Sequence, residues 1–181
     1  DLKPDLLVWS TRGGLLYRGG TTPVVLDVLR AGRSFAAGDV DNDGFPELCM
    51  LTEVDAQLIS NRKGTFDGAK VVARGKFLKA LWVDYDHDYD LDLILIGEKP
   101  AVLRNQGEAG LVEQPGAIPF VEGAPVDAVS FRMVADSKAN DLMVTYRDRE
   151  SVAYLDRLAG RYDATPMPRL PRGASMLQVA D

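Results

Sequence analysis

A pattern of carboxylates recurs at a fixed interval along this 181-residue chain, and that interval limits the possible folds more than any other feature. Asp39, Asp41, Asp43 and Glu47 in "DVDNDGFPE" are matched by Asp84, Asp86, Asp88 and Asp92 in "DYDHDYDLD", 45 residues later. The flanks recur too. "SFAAG" and "KALWV" precede the loops, "LCML" and "LILI" follow them, and then come "QLISN" and "AVLRN", each leading into a Gly-containing turn. A weaker copy spans residues 131–155, in "FRMVADSKANDLMVTYRDRESVAYL", with its acidic loop decayed. The landmark aspartates of this frame are Asp39, Asp84, Asp136 and Asp181, spaced 45, 52 and 45 residues apart. "KPDLLVWS" at the start reads as a repeat entered just after its loop, and "ASMLQVAD" at the end as one cut where its loop begins. The approximate repeats are 1–33 (partial), 34–78, 79–125, 126–172 and 173–181 (partial).

Each repeat is built from strands. In "LDLILIG" Leu91, Leu93 and Leu95 share one face and Asp92, Ile94 and Ile96 the other, so most of the run is apolar on both sides. Strands apolar on both faces belong to stacked sheets, not to a sheet with one wet face. No segment has sustained helical apolar spacing with caps, and almost no helix is expected. Four short strands in about 45 residues, repeated, predict an all-β propeller or partial propeller. It should have about four blades, each a four-stranded antiparallel sheet, in a single domain or fragment. A blade cannot bury its faces alone, so an open array is expected to expose apolar surface and to oligomerise. The WD40 type is disfavoured: Ser10 follows Trp9 and Val83 follows Trp82.

The acidic loops need a positive charge among them or full solvation. Carboxylates at loop positions 1, 3, 5 and 9 can converge on one point, and dense hard oxygen ligands suit Ca²⁺. The carbonyl of Phe45 at position 7 can add an oxygen, and Gly44 at position 6 permits a turn at positive φ. An EF-hand is excluded: its bidentate Glu at position 12 is replaced by Met50 and Leu95, and its flanking helices by strands. Mg²⁺ prefers fewer carboxylates and Zn²⁺ prefers His or Cys. In the second loop Tyr89 replaces the position-6 Gly and Asp90 adds charge at position 7. That site is expected to be distorted, weaker or occupied differently. No cation is expected at "ADSKAND". The candidate metal ligands are therefore Asp39, Asp41, Asp43, Phe45 and Glu47 in the first loop, and Asp84, Asp86, Asp88, Asp90 and Asp92 in the second, for one or two Ca²⁺ ions.

D-x-D-x-D-G-x-x-[D/E] between strands, after a small-residue strand ending in "GD", resembles the FG-GAP/VCBS repeat of integrin α-subunit and cartilage-acidic-protein-like propellers. The match is strongest over residues 34–66, clear over 79–111 and weak over 126–162. The resemblance implies calcium that stiffens each blade, a propeller face that binds proteins or glycans, and a secreted, periplasmic or cell-surface location.

Composition agrees with a binding module. The net charge of −6 argues against a nucleic-acid partner, and no apolar run reaches the ~20 residues of a membrane span. Nine of the 27 acids lie in the two loops, leaving 18 elsewhere against 21 Lys and Arg, so the body is near +3. Two Ca²⁺ would bring the total to −2. The lone Cys49 reads as a buried hydrophobe, and His87, the only histidine, as a solvent-facing loop residue without a nucleophile beside it. No catalytic constellation is visible, so a non-catalytic module is expected, with a protein partner or a glycan at its face, or service as the accessory propeller of an enzyme. Tyr17, Trp82, Tyr85 and Tyr89 read as packing residues before sugar-stacking ones. "RDRE" at 147–150 reads as a solvated hairpin tip, and "TPMPRLPRG", "GGTTP" and "EGAPV" as linkers between blades.

Overall fold

The computed structural model describes residues 5–10, 12–20, 22–134 and 138–179. The landmark aspartates Asp136 and Asp181 lie outside them. The described chain is all-β, with two single-turn 3-10 segments at Asp27–Leu29 and Gly107–Ala109 and no α-helix. Fifteen strands form four antiparallel sheets, each a meander in chain order. The first sheet has three strands, β1 (Asp5–Ser10), β2 (Gly13–Arg18) and β3 (Val24–Leu26). The second has β4 (Ser34–Gly38), β5 (Glu47–Leu51), β6 (Asp55–Arg62) and β7 (Thr65–Arg74). The third has β8 (Phe77–Val83), β9 (Asp92–Gly97), β10 (Ala101–Asn105) and β11 (Leu111–Glu113). The fourth has β12 (Pro125–Phe131), β13 (Asp141–Tyr146), β14 (Ser151–Asp156) and β15 (Tyr162–Met167).

Three apolar cores lie between successive sheets. Leu16, Leu26 and Leu29 meet Leu48, Met50 and Ile59 between the first and second. Cys49, Leu51 and Ala56 meet Ala80, Leu93, Leu95 and Leu103 between the second and third. Ile94, Ile96 and Val102 meet Leu142, Val144, Val152 and Tyr154 between the third and fourth. Strand β9 thus feeds a different core from each face, which is why its sequence is apolar throughout. Each fully buried Leu or Ile contributes about 1.5–3 kcal/mol. Cys49 is 0% exposed in the second core, and burial pushes its thiol up to about 12, so it acts as a small hydrophobe.

The first strands of the second, third and fourth sheets lie side by side. Trp82 on β8 donates its indole N–H to the Ala36 carbonyl on β4 at 3.2 Å. Its ring covers Gly38, where a Cβ would stand 2.5 Å from the indole, and that close approach accounts for the glycine that ends "SFAAG". Lys79 on β8 pairs with Asp127 on β12 at 3.1 Å, and the other Asp127 oxygen accepts the Leu177 N–H at 2.7 Å. Strand β1 pairs only with β2 among the described strands, and its Leu6, Val8 and Trp9 are exposed.

Several expected boundaries move. Met133 and Val134 stand outside the strand that "FRMV" suggested, because β12 ends at Phe131 and the Met133 N–H is taken by Asp141. Part of "TPMPRLPRG" is strand: Thr165–Met167 complete β15, where Pro166 is tolerated because β15 is a sheet edge. "GGTTP" joins β2 to β3 within one sheet instead of linking two. The "RDRE" tip is tied down, with Asp148 accepting the Ala124 N–H at 2.8 Å and Arg149 donating to the Glu122 carbonyl at 2.6 Å.

Candidate metal centre

Each acidic loop connects the first and second strands of its sheet, and the two loops share one hydrogen-bond framework. In the first, Asp39 accepts the N–H groups of Asp43 (3.0 Å) and Gly44 (2.9 Å), and Asp43 accepts that of Phe45 (2.8 Å). In the second, Asp84 accepts those of Asp88 (3.1 Å) and Tyr89 (3.2 Å), and Asp88 accepts that of Asp90 (3.1 Å). Positions 4 and 6 are left-handed in both, with Asn42 at φ 59° and Gly44 at 85°, then His87 at 66° and Tyr89 at 74°. The second loop therefore keeps the turn despite losing its glycine. A left-handed non-Gly residue costs on the order of 1 kcal/mol, yet the Tyr89 side chain is 85% exposed and recovers little of that by packing.

The carboxylates of Asp39, Asp41 and Asp43 gather in the first loop, and those of Asp84, Asp86, Asp88 and Asp92 in the second, with ligand atoms within 4.8 Å of one another in each group. Either group could hold a metal ion. The oxygen-only donor sets fit a hard cation. In the second loop, Oδ1 of Asp86 is buried without a hydrogen-bond partner, an acceptor left open toward such an ion. Burial pushes the Asp86 carboxyl up, and the neighbouring Asp88 adds to the effect. Burial also lifts Asp92 to about 7, against the pull of its backbone hydrogen bonds. A cation at this point would favour the ionised forms of both.

The candidate ligands divide by what they touch. Glu47 is buried and spans its loop, accepting the N–H of Val40 at 3.1 Å and that of Asn61 at 3.2 Å. Asp92 does the same with Tyr85 (3.0 Å) and Asn105 (2.8 Å). Asp141, which the sequence reading left out, repeats the arrangement in the fourth sheet with Met133 (2.8 Å) and Asp156 (2.9 Å). The carboxylate that opens the second strand, at position 9 in the two acidic loops and one residue later in the fourth sheet, is thus a backbone strut in all three four-stranded sheets. Its signal was its place directly before an apolar run, in "ELCM", "DLIL" and "DLMV". Asp90 faces away from its own loop, accepting a hydrogen bond from the Asn42 amide of the first loop at 2.9 Å. Phe45 is anchored through its N–H to Asp43, and its ring lines a crevice with Leu7, Arg18 and Phe66.

Two further residues complete the site. Arg104, on β10, reaches into the second loop, with Nε 2.7 Å from Asp86 and Nη2 2.8 Å from Asp88. His87 is not solvent-facing as expected: its side chain is 21% exposed and its Nε2 lies 2.7 Å from the fully buried Asp156 of β14. Asp156 takes the place that Asn61 and Asn105 hold in the other sheets, each bonding a backbone N–H of the following turn. Its second oxygen is hydrogen-bonded to the His87 ring. In the fourth sheet Arg132 follows β12 as Asp39 follows β4 and Asp84 follows β8, so a cation stands where the acidic loops begin. Among the described residues that loop gathers no carboxylate group.

No family model, curated protein or solved structure matches this chain.

Proposed function

We propose that this chain is a non-catalytic, calcium-stabilised β-propeller module that presents one face to a protein partner. The carrying observation is that two acidic loops, 45 residues apart in sequence, adopt one framework that gathers three or more carboxylates. Like charges held this close repel, and the backbone N–H groups that bind Asp39 and Asp84 offset only part of that. Calcium cancels the remainder and fixes the connection between the first two strands of the second and third sheets. The successive packing of four meander sheets, with β4, β8 and β12 side by side, supports the propeller reading.

Thermal unfolding in EDTA, then in millimolar Ca²⁺ with Mg²⁺ as control, tests this. A ligand that binds only the folded state at ~100 times its dissociation constant adds about 2.7 kcal/mol. A Ca²⁺-specific rise in the midpoint is expected, and Asp41→Ala combined with Asp86→Ala should abolish it. Equal midpoints in EDTA and Ca²⁺ would sink the calcium reading.

A second reading has its own observation. Tyr89 lines a crevice of about 630 Å³ with Trp82, His87, Ser130 and Arg132 at the junction of the third and fourth sheets. An exposed ring on a strained residue, beside hydroxyl, imidazole and guanidinium groups, suits a sugar. On a glycan array at fixed calcium, the chain should retain a sugar and lose it on Tyr89→Ala; retention unchanged by that substitution would rule the crevice out.

A further inference from the structure

The two acidic loops share their backbone and differ in what neutralises them. Asn105 ends β10 as Asn61 stands near the end of β6, and each bonds the strut carboxylate through its N–H. The residue before Asn105 is Arg104 and the residue before Asn61 is Ser60. One loop therefore has a guanidinium directed at its carboxylates from the third strand, and the other has a hydroxyl side chain at the same station. Among the described residues no Lys, Arg or His pairs with Asp39, Asp41 or Asp43.

Arg104 sits where an ion would need ligands. Its Nη2 donates to Asp88 Oδ2 at 2.8 Å, its Nε stands 2.7 Å from Asp86 Oδ2 as a charge pair without a hydrogen bond, and Asp86 Oδ1 is left buried and unpartnered. The Arg104 side chain is 37% exposed although its Nε is buried, so it is shielded enough for the pairs to matter and open enough to leave. A planar, delocalised guanidinium sets its charge beside two neighbouring carboxylates at once, which the compact charge of a lysine ammonium does less well.

We propose that Arg104 is a built-in counter-cation of the second loop, holding that loop folded without metal and yielding Asp86 and Asp88 only when a divalent cation displaces it. The first loop has no such residue and depends on its ion. The displacement half rests on the calcium reading; the counter-cation half does not. The chain then has two unequal sites. The first fills at low calcium, and the second fills only once the ion outcompetes a tethered rival.

Arg104→Ser, which copies the first loop, tests both halves. In EDTA its thermal midpoint should fall below that of the unmodified chain. Adding Asp88→Asn, which removes one of the stranded charges, should restore part of the loss. Arg104→Lys should fall between. Isothermal titration with Ca²⁺ should show one tight and one weak site in the unmodified chain, with the weak one tightening on the order of tenfold in Arg104→Ser, the scale expected for releasing two partly exposed ion pairs. An Arg104→Ser midpoint in EDTA equal to or above the original overturns the counter-cation. Calcium affinity at the second loop unchanged by the substitution overturns the displacement. If neither chain takes up calcium, the calcium reading itself fails, while the EDTA midpoints still decide whether Arg104 neutralises the loop.

Discussion

Asp141→Ala is expected to destabilise the fold by about 2–5 kcal/mol, although no acidic loop surrounds it. The carboxylate is buried and accepts the N–H of Met133 from one side and that of Asp156 from the other. Removing it strands two backbone donors, and each buried unsatisfied group costs about 1–3 kcal/mol. Asparagine should recover only part, because its amide offers one acceptor where two N–H groups point in. Urea unfolding reads the loss, and it should be the same in EDTA and in Ca²⁺. Asp92→Ala should cost as much in EDTA and more in Ca²⁺, since Asp92 also belongs to the second carboxylate group. A loss under ~1 kcal/mol at Asp141 would mean that water replaces the carboxylate, and the strut would then be a geometric coincidence of three sheets.

That comparison separates two jobs that the sequence merged. Glu47 and Asp92 occupy position 9 of a metal-loop pattern, and as letters they read as ligands. Their backbone partners became visible only when the loop closed back onto the third strand. The offset from the apolar run did carry the signal, because Asp141 shares it without the rest of the pattern. The sheets themselves were legible for a simpler reason. Strands packed on both faces must be apolar on both faces, and "LDLILIG" shows that directly. Arg104 and His87 were not legible as partners. Each is an ordinary charged or polar residue until the fold sets β10 beside its own loop, or the second loop beside β14, 69 residues away. The third loop misled because Asp136 drew the frame, whereas the backbone puts Arg132 at the loop's first position. The position-6 rule also gave way: Tyr89 holds the left-handed turn because the N–H bonds to Asp84 over-determine it.

Ile94→Ala with Leu95→Ala should remove most of the stability of the fold, read as a large drop in the urea midpoint. Both side chains are fully buried, and truncation of either costs about 2–5 kcal/mol. They are neighbours on β9 but point into different cores, Ile94 toward the fourth sheet and Leu95 toward the second. The two single losses sum to roughly 4–10 kcal/mol against the 5–15 kcal/mol that holds a typical domain, and their opposite directions leave no shared cavity to couple them. The single variants say how the array holds together. Sheets that contact only their neighbours respond locally, and Cys49 is a reporter in the Leu95 core alone. Its thiol should resist a disulfide reagent in the unmodified chain and in Ile94→Ala, and react in Leu95→Ala. Equal protection in both single variants would mean that the four sheets open as one unit, and the stack would then be energetically a single core despite its three apolar layers.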